Sequence, residues 1–237
     1  MTLSIPSSVK EPVDMKRLFQ QNAVFICLSL TLIVALGLAL IFIPKGDLHL
    51  LLCDHHTYER DIFYKYYTKV AEWFPYVLCV LILLFGRIGE GVFASSAMIL
   101  SALTTQLFKH LINAPRPLTW FGQYMPHIEL PLAEGVQMNY WLSFPSGHTT
   151  SFFALAFVAS ILISKRTISS TTRILCQTIL FIAASMGGYS RIYLSQHFAL
   201  DVFAGIVVGV LITLVCYVVF VRLEDQKWLN YRLIQKK

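Results

Sequence analysis

What most restricts the fold of this chain is a succession of apolar runs, each close to the length of a bilayer. The first, Ala23 to Pro44, is about as long as a spanning helix requires, ~20 residues. A cleavable leader has a shorter apolar core and a small-residue cleavage site, so this run reads as an uncleaved first span. Further runs cover 71–85, 91–111, 148–164, 174–189 and 198–221. The pattern predicts an all-α polytopic membrane protein, with six transmembrane helices in one bundle and a single domain over 1–237. Composition agrees: 14% of the residues are charged, where a soluble domain carries roughly 25%.

Two loops are long enough to carry structure of their own. In 45–70 the aromatics Phe63, Tyr64, Tyr66 and Tyr67 alternate with charges, which predicts a helix lying at the membrane surface. His55 and His56 resemble a metal pair, but neighbours on a helix point apart, so they read as surface histidines. The loop 112–147 contains Pro115, Pro117, Pro126 and Pro131 and the aromatics Trp120, Phe121, Tyr124, Tyr140 and Trp141, suited to headgroup depth. It is expected to hold an interfacial helix and to act as a lid, a lipid-contacting wall or an anchor. Gly205 and Gly209 form a G-x-x-x-G pair, read as packing inside the bundle rather than as a dimer contact. Five cysteines, four in or beside apolar runs and Cys53 in a loop, give neither a disulfide framework nor a zinc motif.

The net charge of +6 does not point to nucleic acid, because the cations are scattered among loops rather than gathered in a stripe. Membrane orientation and anionic lipid account for them. Six spans bring both termini to one side. That side collects most of the 19 lysines and arginines, including Lys10, Lys16, Arg17, Arg87, the 165–173 loop and the tail from Arg222. The termini are therefore expected in the cytoplasm, and the other face outside it.

That outer face gathers three polar clusters at helix ends: Lys109 to Pro117, Pro145 to His148, and Ser190 to Asp201. His197 and Asp201 are four apart and share one helix face. The carboxylate can fix the imidazole tautomer and leave the other nitrogen as a nucleophile or base. Alone, this Arg–His–Asp stretch reads equally well as an interfacial salt-bridge cluster; the convergence of all three clusters at one edge decides against that. Lys109, Arg116 and Arg191 bring positive charge without a surplus of carboxylates, which suits a phosphate dianion and not a metal ion. Pro145, Ser146 and Gly147 lead into a helix start, with the proline expected in its first turn and backbone N–H groups offering an anion site. His148 is then a proton donor and His197 a nucleophile, and phosphoryl transfer asks for little beyond such positioning and charge neutralisation. A transporter or channel using the charges as a relay would set ionisable groups at mid-membrane depth and often show internal repeats. Here the groups sit at helix ends, apart from Asp201 about one turn in. A phosphate-binding but inactive protein would lack a catalytic residue.

The clusters are similar to the three signature motifs of the type 2 phosphatidic acid phosphatase (PAP2) superfamily, K-x6-R-P, P-S-G-H and S-R-x5-H-x3-D. Here these are Lys109, Arg116 and Pro117; Pro145 to His148; and Ser190, Arg191, His197 and Asp201. The resemblance implies a metal-independent phosphatase without a cofactor. His197 would attack phosphorus to form a phosphohistidine, oriented by Asp201, and His148 would protonate the leaving oxygen. Lys109, Arg116, Ser146, Gly147 and Arg191 would hold the phosphoryl oxygens. It further implies a substrate anchored in the phospholipid bilayer of the inner membrane: undecaprenyl pyrophosphate, phosphatidylglycerol phosphate, phosphatidic acid or a lipid A phosphate. The motifs meet only phosphate and do not rank these.

Overall fold

The computed structural model describes residues 15–223 and 226–234. Lys10, Lys236 and Lys237, part of the charge asymmetry above, lie outside the described residues. All regular secondary structure among the described residues is helical. Its helices are α1 (Met15–Gln21), α2 (Ala23–Phe42), α3 (Lys45–Cys53), α4 (Tyr58–Tyr67) and α5 (Val70–Phe85), then α6 (Ile88–Ile112), α7 (Pro117–Tyr124), α8 (Gly147–Ser164), α9 (Ser170–Tyr193) and α10 (Ala199–Leu223). A short 3-10 turn, Lys227–Asn230, follows.

Among the described residues, five helical stretches are long and apolar enough to cross a membrane: Ala23–Phe42, Tyr58–Phe85, Ile88–Tyr124, Gly147–Ser164 and Ala199–Leu223. The sixth expected span corresponds to α9. With 24 residues it has the length, but Arg173, Gln177, Ser190 and Arg191 leave it less apolar than the other five. The second span also begins earlier than expected. Residues 71–85 alone fall short of the ~20 residues that a span requires. The apolar stretch reaches back to Tyr58 because α4 joins α5 through a tight turn, in which the Thr68 N–H donates to Tyr64 O at 3.0 Å. The aromatic segment is thus continuous with a span. Other details of 45–70 differ too. Cys53 is the buried last residue of α3 rather than a loop residue. His55 is exposed, whereas His56 is stacked on Tyr193 with ring centroids 4.2 Å apart.

α8 is the central helix. It packs against α6, α9 and α10, and 67% of its apolar window is buried, against 11% for α2. Phe25 of α2 stacks on Phe157 of α8 at 5.3 Å and meets Phe153 and Phe181 edge-on or tilted. Large apolar side chains turn outward around the bundle, among them Ile41, Leu81 and Leu103, as a lipid-facing surface requires. Gly205 and Gly209 do pack inside the bundle. A Cβ on Gly205 would stand 2.8 Å from Ser146 O, and one on Gly209 2.7 Å from Thr150 O. Only glycine lets α10 come this close to the start of α8, and this contact fixes where the site residues of the two helices meet.

Candidate active site

Ser146 caps α8, its Oγ accepting from the Thr149 N–H at 3.4 Å and the Thr149 hydroxyl at 2.8 Å. Pro145 therefore precedes the cap and is not in the first turn of the helix as expected. The Ser146 N–H is also taken, donating to Asp201 O at 2.9 Å. Gly147 and His148 are then the first-turn residues whose N–H groups have no acceptor within the helix. The bond from Ser146 to Asp201 ties the second cluster directly to the third.

At the start of α10 the Asp201 carboxylate is buried and receives three contacts on Oδ2. Ser143 Oγ donates at 2.5 Å, the Phe198 N–H donates at 2.9 Å, and His197 Nδ1 lies 3.4 Å away. His197, 2% exposed, is held from behind by its N–H donating to Arg191 O at 3.0 Å. Its Nδ1 faces the carboxylate, so Nε2 is the nitrogen directed away from it. Burial, then Arg116, Lys109 and Arg191 in turn, hold the imidazole well below the usual histidine range. The consequence is a ring that stays neutral, with the lone pair of one nitrogen free of a proton.

The three cations converge on this ring from three elements, and each is held by neutral acceptors. Lys109, near the end of α6, donates to Leu142 O. Arg116, in the loop before α7, donates from Nε to Trp141 O at 2.9 Å and from Nη1 to Gln196 Oε1 at 3.0 Å. Arg191, in the last turn of α9, donates from Nη1 to Thr68 Oγ1 at 2.7 Å, while its buried Nε has no hydrogen-bond partner. None of the three forms an ion pair among the described residues. Asp201 acts on Lys109 and Arg116, and Glu72 on Arg191, only through space, so no carboxylate is bonded to any of the three. Leu142, whose carbonyl holds Lys109, has φ of 60°, a left-handed backbone that leucine rarely adopts and that is found at sites where function holds the strain in place.

His148, one residue into α8, faces Glu72 of α5, Nε2 to Oε1 at 3.3 Å, and is within electrostatic reach of His197, Arg191, Arg116 and Lys109. All eight residues singled out in the sequence thus meet in one region. Behind it, His49 of α3 is fully buried against Phe121 and Phe198, its Nε2 3.2 Å from Ser195 Oγ, and burial pushes it down to about 4. Lys45, one turn earlier, lies 3.8 Å over the Phe198 ring. Among the described residues no three His, Cys, Asp or Glu side chains converge as a metal ion would need.

Ser143, Gln196, Thr68, Glu72 and the pair Lys45–His49 were not singled out in the sequence. Only Glu72 and Lys45–His49 carried a usable signal, an ionisable group at a span end and a Lys–His pair one turn apart. Serine, threonine and glutamine in loops are too common to stand out.

Fold and site define a helical membrane-type protein with a buried histidine–carboxylate pair among three cations that no carboxylate contacts directly. The sequence model of the PAP2 superfamily matches residues 90–225, more than half the chain and every residue of the three clusters. The chain belongs to the PAP2 superfamily. Its fold is shared with Aquifex aeolicus LpxE, whose crystal structure is 24% identical in sequence with a TM-score of 0.57, the match covering 72% of this chain and 93% of that one. No curated protein matches the chain.

Proposed function

We propose that the protein is a phosphatase acting on a membrane lipid phosphate or pyrophosphate through a phosphohistidine. One observation carries this reading. Lys109, Arg116 and Arg191 surround a neutral, carboxylate-oriented His197 while bonded only to neutral groups, so the site favours a dianion beside a nucleophile. Membership of the PAP2 superfamily and the apolar helices around the site support a lipid-borne phosphate as that dianion.

The Nε2 lone pair of His197 forms a bond to phosphorus as the bond from phosphorus to the leaving oxygen breaks. His148 gives that oxygen a proton, and Asp201 holds the proton on Nδ1 and stabilises the charge that develops on the ring. Neutral His148 then takes a proton from water, whose oxygen attacks phosphorus, freeing His197 and inorganic phosphate. The three cations, the Ser146 hydroxyl and the Gly147 and His148 N–H groups neutralise the equatorial oxygens. Glu72 positions His148. No step requires a metal ion. In the membrane α9 serves as the sixth span, the termini are cytoplasmic and the site opens on the opposite face, consistent with the excess of Lys and Arg near the termini.

The test is phosphate release by purified protein in detergent with EDTA, against a panel of lipid phosphates and diphosphates, with His197→Ala as control. Release that survives chelation and disappears in the variant is expected. Undiminished release by His197→Ala removes the nucleophile assignment.

A further inference from the structure

A second polar site is present at the other end of the bundle. Along α6, Glu90 and Lys109 are separated by roughly 28 Å at 1.5 Å per residue. Beside Glu90 is a cavity of about 530 Å³ lined by Arg17, Arg87, Lys165, Arg166 and Arg173. These five cations come from α1, the α5–α6 turn, the end of α8 and the first turn of α9. Among the described residues of the lining, Glu90 is the single acidic one. It is 5% exposed, and its Oε2 already accepts from Arg166 Nη2 at 2.7 Å and from the Arg87 N–H at 3.4 Å. Its charge is therefore matched by one arginine. Arg173 Nε is buried without a hydrogen-bond partner. Membrane orientation accounts for cations in loops, but not for their assembly from four segments around one cavity.

The cavity adjoins a groove of opposite character. Between α5 and α8 is an open, largely apolar trough of about 630 Å³, lined by Leu78, Leu81, Phe85, Ala159 and Leu162. Cavity and groove share two residues, Glu90 and Arg166. A basic cavity opening at one ion pair onto an apolar trough matches a molecule with an anionic head beside a hydrocarbon chain. Arginine is the usual partner of phosphate, because its planar fork meets two oxygens at once.

We propose that this end of the bundle binds an anionic phospholipid, with its headgroup phosphate among Arg87, Lys165, Arg166 and Arg173 and one acyl chain in the α5–α8 groove. The site is separate from His197 and independent of the reaction there. A soluble phosphate-bearing anion would use the cavity alone, whereas a lipid uses cavity and groove together.

Native mass spectrometry of the delipidated full-length protein in detergent tests this. The probes are phosphatidylglycerol, phosphatidylcholine and inorganic phosphate. Phosphatidylglycerol is expected to bind more tightly than phosphatidylcholine. Arg173→Gln should weaken phosphatidylglycerol about fivefold, the equivalent of ~1 kcal/mol for one cation near a phosphate. Leu81→Trp, which fills the trough, should weaken the lipid and leave inorganic phosphate unaffected. Leu81 is 43% exposed and Arg173 is partly exposed, so neither change opens the core, and an unchanged melting temperature verifies this. Arg166 is left intact because its loss would strand Glu90. Equal affinity for the two lipids, or phosphatidylglycerol binding untouched by both substitutions, overturns the proposal. Inorganic phosphate binding that Arg173→Gln abolishes, with lipid binding indifferent to Leu81→Trp, assigns the cavity to a soluble anion and also overturns it.

Discussion

Replacing Ser143 by alanine separates the orientation of the nucleophile from the binding of its substrate. Ser143 is fully buried, and its hydroxyl donates to Asp201 Oδ2 at 2.5 Å, while His197 Nδ1 is 3.5 Å from Ser143 Oγ. The longer contact is beyond a good hydrogen bond, so the hydroxyl acts chiefly on the carboxylate, while the Ser143 backbone, which also touches the ring, is unchanged by the substitution. A hydrogen bond to a charged group is worth ~1.5–3 kcal/mol. Asp201 would retain the Phe198 N–H at 2.9 Å and His197, so the lower end of that range applies. If the full effect falls on the transition state, kcat drops about tenfold, at ~1.4 kcal/mol per decade. KM should barely change, because Ser143 does not face the cations that would hold phosphate. The assay is steady-state phosphate release by Ser143→Ala and Ser143→Thr, with melting temperatures alongside. Threonine keeps the hydroxyl and should recover part of the rate. A Ser143→Ala enzyme with wild-type kcat, or one whose loss is entirely in KM, would refute the reasoning.

Other expectations follow from the same geometry. Because burial and three cations hold His197 well below the usual histidine value of ~6.5, the nucleophile is neutral through that range, and the acid limb of kcat/KM should fall below it. Arg116→Gln removes one of those charges, so the limb should move to higher pH even as KM rises; a limb that stays fixed contradicts the electrostatic account. The folded state also binds fewer protons at His197 than the unfolded chain does, so this group's contribution to stability is lost as pH falls from ~6.5 toward the folded value, measurable as a falling melting temperature. Gly205→Ala sets a methyl 2.8 Å from Ser146 O and 2.9 Å from Thr149 Cβ, which should destabilise the fold by about 1–3 kcal/mol and lower activity through the displaced start of α8; unchanged melting and turnover would show that α10 has room there. Arg191→Lys keeps the charge and loses the fork, so KM should rise more than kcat falls, and equal KM values would remove Arg191 from substrate binding.

Much of this site was legible because charge is conspicuous in an apolar chain. Lys109, Arg116, Arg191, His148, His197 and Asp201 stand at helix ends where hydrocarbon or headgroups would otherwise be, and hydropathy alone brought them to one edge. The Asp201 carboxylate was legible for the same reason. Its partner Ser143 was not, since a serine in a loop signals nothing until the 112–147 segment folds back and the Ser143 N–H donates to Ala114 O at 3.0 Å. The place of Pro145 was misjudged because proline at a helix start usually stands at the first helical position, whereas here Ser146 is the cap. The second span appeared too short because Thr68 and Lys69 interrupt the apolar run, yet the backbone turns there with only a brief break between α4 and α5. The basic cavity at the far end looked like orientation charge, because Arg17, Arg87 and the 165–173 cations are far apart in sequence and meet only when α1, α6, α8 and α9 pack.

A covalent phosphate on His197 can be trapped directly. Protein would be mixed briefly with lipid substrate labelled in the transferable phosphate, quenched in alkali, where a phosphohistidine survives and an acyl phosphate does not, and digested for mass spectrometry. Label is expected on His197, lost on brief acid treatment and absent from His197→Ala. Label on any other residue, or turnover by His197→Ala at the wild-type rate, contradicts it.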